Sequence, residues 1–114
     1  MDIRVIKENV SKEELSDIAK EFYVNMVKGA IDVENDIISL GGEYHVDANM
    51  VLIEHGSHQD NIWGFNLYLE KEGDDWIEYV SLINIRPADG NRSMFIENEQ
   101  LRDKIKEIIN KKII

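Results

Sequence analysis

The chain has 114 residues, of which 43% are apolar and 32% charged, and it contains no cysteine. A chain of this size buries about two thirds of its unfolded surface and so supports one core without staples, which gives a single expected domain over residues 1–114. The absent cysteines exclude disulfides, thiolate zinc sites, iron–sulfur clusters and cysteine nucleophiles. Thirteen basic against 23 acidic residues leave a net charge of −10, a field that argues against nucleic acid as a partner. The acidity is uneven: residues 1–57 hold 12 acids and five bases, and residues 58–114 hold 11 and eight. No apolar run approaches the roughly 20 residues of a membrane helix, and Met1 to Lys7 lacks the apolar core of a secretory signal. A cytoplasmic protein is expected.

Ile3, Val5 and Ile6 open with strand character. Ser11 and Glu14 then form a capping box, with Val10 and Leu15 in the two positions of a hydrophobic staple. Leu15, Ile18, Ala19, Phe22 and Met26 recur at helical spacing, so a helix is expected from Ser11 until Gly29 closes it. The period then changes to two. Ile31 to Glu34 and Ile37 to Leu40 read as a hairpin around Asn35-Asp36, with Glu34 opposite Ile37, Val33 opposite Ile38 and Ile31 opposite Leu40. Gly41-Gly42 suggests a bulge, after which Glu43 to His45 is expected to continue the strand. Asp47 is the expected N-cap of a short helix through Ala48, Val51, Leu52 and His55, stopped by Gly56.

A second hairpin is expected from Trp63 to Leu69 and from Trp76 to Ile85, ended by Pro87 and Asp89-Gly90. An extended piece from Ser93 to Ile96 leads to Asn98 as N-cap of a last helix with the stripe Leu101, Ile105, Ile108, Ile109 and the Lys112 stem. The order β-α-β-β-α-β-β-α predicts an α+β two-layer sandwich: a mainly antiparallel sheet of five to six strands covered by three helices on one face. Tight hairpins exclude a parallel doubly wound sheet.

Glu43, His45 and Asp47 stand at i, i+2 and i+4, which on a strand directs all three side chains to one face. Such a trio suits a divalent metal as cofactor, or acid/base catalysis by Glu43 and His45 with a carboxylate holding the imidazole tautomer. A solvated strand face with Asp47 as a cap accounts for the same pattern. Arg86, Asn91, Arg92 and Ser93 flank the proline turn and offer planar and neutral donors to a small anion; pairing of Arg86 with an acid is the simpler alternative. Ser57 lies beside His58, but neighbouring residues point apart and no Gly-x-Ser-x-Gly elbow is present, so a serine nucleophile is not expected. Trp63, Phe65, Tyr68, Trp76 and Tyr79 read first as cross-strand packing, and as an interface only if the indoles lie outside.

The Gly-Gly-Glu-x-His-x-Asp run from Gly41 to Asp47, Gly56-Ser57-x-Gln59, Trp63-Gly64-x-Asn66-x-Tyr68 and Asn84-Ile85-Arg86-Pro87-x-x-Gly90-Asn91-Arg92-Ser93 are the most distinctive motifs. In these the chain resembles a small prokaryotic domain family of unknown function, nearly from end to end. The resemblance implies a set of repeated polar positions, which brings Ser57 and Gln59 into the ligand-binding candidates with Arg86, Asn91, Arg92 and Ser93. Met94 stands where the family pattern has Arg, which weakens an anion role for that stretch. Two function classes follow. The favoured one is a binding or interaction module recognising a small anion or a protein partner, with a homodimer among the options; the other is a metal-dependent or acid/base hydrolase built on Glu43, His45 and Asp47.

Overall fold

A computed structural model describes residues 3–114. Eight regular elements follow one another: β1 Arg4–Ile6, α1 Lys12–Ala19, β2 Met26–Asp32, β3 Ile37–Leu40, α2 His45–Glu54, β4 Ile62–Tyr68, β5 Ile77–Glu78 and α3 Glu99–Lys112. The five strands form one antiparallel sheet in the order β1-β3-β2-β4-β5. The α+β class, the three helices and the order of elements agree with the sequence pattern.

The helix starts form as their caps dictate. The Glu14 amide donates to Ser11 Oγ at 3.1 Å, and the staple residues Val10 and Leu15 are both buried. At α3 the Leu101 amide donates to Asn98 Oδ1 at 3.0 Å. Ile105, Ile108 and Ile109 are buried along one stripe, and Lys112 lays its stem on the core while its Nζ donates to the Lys7 carbonyl.

The expected first helix is shortened. It ends at Ala19, Val24 takes φ 67°, and Met26 to Asp32 becomes β2, the strand that pairs along its whole length with β4. Long-range pairing on both sides overrides the local helical spacing of Phe22 and Met26. Phe22 is left exposed. The first hairpin also has another register: Ile31 faces Ile38 and Asp32 faces Ile37, two residues from the expected pairing, so each side chain keeps its face. Buried Asp32 sets the longer turn by accepting the amides of Glu34 and Asn35 at 3.0 Å on Oδ1 and the Asn35 side chain on Oδ2.

The period of two then divides the core between the faces. Val27, Ile31, Ile38, Leu40, Trp63, Phe65, Leu67 and Ile77 turn towards α1 and α3 in the larger apolar cluster. Ala30 and Ile62 turn the other way, against Ala48 and Leu52 of α2. Helix α2 therefore lies across the second face, where a single helical layer was expected. The small residues Ala30 and Ser39 on that face allow the close approach, Ser39 Oγ donating to the Ala48 carbonyl at 2.9 Å, while Gly64 beside them leaves room for Ser81 and Ile83.

The return of the second hairpin is only two residues long. Beyond Glu78 the chain forms 3-10 turns at Leu82–Asn84 and Pro87–Asp89 instead of running straight to Ile85. Ser81 Oγ accepts the Ile83 amide, and buried Asn84 pairs with β4 through its side chain, accepting from the Gly64 amide at 2.8 Å and donating to the Gly64 carbonyl at 3.0 Å. A side-chain amide thus replaces the ladder of a longer strand. Residues 93–96 give only an isolated bridge, Val80 to Phe95, so no sixth strand forms among the described residues.

Candidate functional site

The strand expected over Glu43 to His45 is corrected by the glycines before it. Gly41 and Gly42 take φ 114° and 91°, a region favoured by glycine, and they swing the chain from the end of β3 into α2. Helix α2 starts at His45 with Tyr44 in the N-cap position, so Asp47 is a first-turn acid and not the cap. His45 and Asp47 consequently diverge around a helix, and Glu43 is an exposed residue whose carbonyl accepts from Tyr23 Oη at 2.5 Å. Among the described residues no group of three or more His, Cys, Asp or Glu side chains is placed to hold a metal ion.

His45 instead turns onto the sheet. Its Nε2 lies 2.8 Å from Asn66 Oδ1 and 3.1 Å from the Phe65 carbonyl. Asn66 Nδ2 donates to Glu78 Oε1 at 2.8 Å and to the Val80 carbonyl at 3.2 Å, which fixes the amide's orientation. Asn66 Oδ1 must then be an acceptor, so Nε2 carries the imidazole proton. Nδ1 makes no hydrogen bond among the described residues and is not sealed from solvent. Burial pushes the His45 pKa below its ordinary value, against the opposing hydrogen bonds to Phe65 and Asn66, with Lys28 adding to the lowering. The ring is a neutral acceptor through Nδ1 at pH 7. Tyr68 Oη closes the chain by donating to Glu78 Oε1 at 2.9 Å.

This polar chain underlies a cleft of about 460 Å³ between the start of α2, the β2 and β4 strands and the turn after β5. Lys28, Tyr44, His45, Asn66, Tyr68 and Ser81 line it together with the apolar Met26, Val46, Val80, Leu82, Ile83 and Met94. Leu82, Val46 and Met94 are exposed. Lys28 Nζ sits over the rings of Tyr23 and Tyr44, at 5.1 and 5.7 Å from their centroids. It has no hydrogen bond or ion pair among the described residues.

The anion candidates are arranged otherwise. Arg86 stacks on Trp63 at 4.1 Å and donates to the carbonyls of Asp60, Ile62 and Ile83. Burial lowers its pKa. Asn91 is buried: its amide nitrogen donates to the carbonyls of Asn84, Ser93 and Phe95, and its Oδ1 accepts from the Glu97 amide. Ser93 Oγ donates to the Phe95 carbonyl and the Arg92 main-chain amide donates to Glu97, while Arg92 itself is an exposed residue. Gln59 exchanges two 2.8 Å hydrogen bonds with Asn49 of α2, and Ser57 Oγ donates to Asp32 Oδ2 at 2.6 Å. These contacts tie loops to the sheet and to α2. No hydrogen bond or ion pair links residues 43–47 with residues 86–93 among the described residues, and Trp63 is buried in the core.

Lys28, Asn66, Tyr68 and Glu78 are the site residues that sequence reasoning missed. Their signal was the period of two in Trp63 to Tyr68, which placed Asn66 and Tyr68 on one face. The partner strands were not identifiable from it. A larger cleft of about 840 Å³ lies between α1, α3 and the β4–β5 connection, but the Lys106 ammonium there is already paired with Asp74, and Lys71 is stacked on the Tyr68 ring.

Fold and cleft together define a small α+β domain with a mainly apolar recess over a hydrogen-bonded polar floor. The chain belongs to the family described as protein of unknown function DUF5674, which it matches over residues 4–112. No curated protein and no solved structure matches the chain.

Proposed function

We propose that the protein is a binding module for a small organic ligand, taken up in the cleft between α2 and β4. The observation that carries this reading is the contrast within the recess: Lys28 and the hydrogen-bonded His45, Asn66 and Tyr68 line it together with apolar side chains, several of them exposed. A volume of about 460 Å³ falls in the range of small-molecule sites, which are mostly apolar with a few convergent polar groups. The small-anion reading moves with it, from the Arg86 turn to Lys28. The hydrolase reading lacks such support, because Glu43 and Asp47 make no hydrogen bond to His45 among the described residues.

Titrating the 15N-labelled protein with a fragment set tests the proposal. Shifts should concentrate on Lys28, Val46, Asn66 and Leu82. Shifts scattered over the surface, or none with any fragment, would reject it. A second reading rests on the exposed rim of Tyr44, Val46, Leu82 and Met94: a protein partner, or a second copy, seated over the cleft. Mass measured by light scattering across a concentration series would reveal self-association.

A further inference from the structure

We infer that the cleft takes an apolar 2-hydroxy monocarboxylic acid, with the carboxylate on Lys28 and the hydroxyl on His45; the inference rests on the binding reading above. Lys28 is the starting point. It lies mid-strand on β2, directly opposite Asn66 of β4, and it is the one charged side chain lining the recess among the described residues. Among the described residues its ammonium has no carboxylate partner, and the rings of Tyr23 and Tyr44 lie beside it without neutralising it. A single unneutralised cation under apolar walls matches one negative charge on an apolar body. Glu78 Oε1 accepts from Asn66 and Tyr68, and Glu78 lines the neighbouring groove and not this recess.

The second group follows from the tautomer. His45 Nε2 is committed to Asn66 and Phe65, so the ring offers a neutral lone pair at Nδ1. A carboxylate oxygen would meet that lone pair unfavourably, whereas a hydroxyl beside the carboxylate donates to it. A ligand ammonium would satisfy Nδ1 but would add a second cation next to Lys28. One negative charge with one neutral donor on the adjacent carbon fits both groups. The wall residues Val46, Val80, Leu82 and Met94 then receive a branched aliphatic or aromatic side chain.

The test uses 2-hydroxyisocaproate, isocaproate, 4-methylpentane-1,2-diol and leucine, each titrated into the 15N-labelled protein. The hydroxy acid should shift Lys28, Asn66 and Leu82 and should bind about 10-fold more tightly than isocaproate or the diol, one lost hydrogen bond being worth about that factor, and more tightly than leucine, whose ammonium is repelled by Lys28. Lys28→Met should abolish its advantage over the diol, and Lys28→Arg should retain it; circular dichroism checks that both variants are folded. His45→Phe should remove the advantage over isocaproate. Equal binding of the diol, or an advantage that survives in folded Lys28→Met, overturns the inference. If other fragments occupy the cleft while the hydroxy acid does not, the ligand class falls and the binding reading stands. If nothing occupies the cleft, both fall.

Discussion

His45 is the residue whose surroundings say most. Its proton sits on Nε2 because Asn66 presents an oxygen there, and burial keeps the ring neutral. The consequence for stability has a definite sign. A histidine whose folded pKa lies below its ordinary 6.5 leaves the unfolded chain holding more protons as the pH falls. The His45 contribution is therefore complete above pH 6.5 and is lost as the pH drops from there through the lowered folded value. Unfolding free energies from urea melts between pH 7.5 and about 5 should fall less steeply in His45→Gln, which keeps a donor towards Asn66. Identical slopes for both proteins would contradict a buried neutral imidazole. Asp32 acts in a lower window. Burial pushes its carboxyl up, but hydrogen bonds from Asn35, Ser57 and Glu34 outweigh this and hold it below its ordinary 3.8, so its contribution is lost only as the pH falls below that value.

At the scale of elements, the junction between β3 and α2 decides where the site is. Gly41 and Gly42 are buried with positive φ, and the Gly41 amide donates to the Lys28 carbonyl at 2.9 Å. A Cβ at either position disfavours that backbone. Gly42→Ala is expected to cost about 1–2 kcal/mol in urea unfolding and to move the His45 ring signals, because the start of α2 would shift off the sheet. Unchanged stability with unchanged His45 signals would show that the junction tolerates an ordinary residue. The same segment shows how a sequence pattern misleads: Glu-x-His-x-Asp alternates as a strand does, yet two glycines place it across a turn and onto a helix. By contrast, the Ser11 and Asn98 caps were readable because each is complete within four residues.

Across the whole molecule, the chain ends hold each other. The Val10 amide donates to the Lys112 carbonyl at 2.8 Å, the Ile114 amide donates to the Val10 carbonyl at 3.0 Å, and Ile113 is buried in the α1–α3 cluster. Removing residues 113–114 should lower the unfolding free energy by about 4 kcal/mol, from one buried isoleucine and the two main-chain hydrogen bonds that Ile113 and Ile114 donate to Ile109 and Val10. Denaturant midpoints compared at constant slope would measure it; a loss below about 1 kcal/mol would mean that the tail contributes little. Among the described residues no helix is long and apolar enough to cross a membrane.

Local sequence was enough for the α+β class, the caps of α1 and α3, the α3 stripe and the two-residue alternation that divides strand faces, because each depends on neighbours within one or two turns of chain. Contacts beyond the local chain made Met26 to Asp32 the strand between β3 and β4, laid α2 over the second face, and brought His45 to Asn66 while Arg86 and Asn91 are spent on backbone carbonyls. Several of those outcomes rest on hydrogen bonds between residues 20 or more positions apart, such as His45 to Asn66 and Arg86 to Ile62, whose energy no local pattern records.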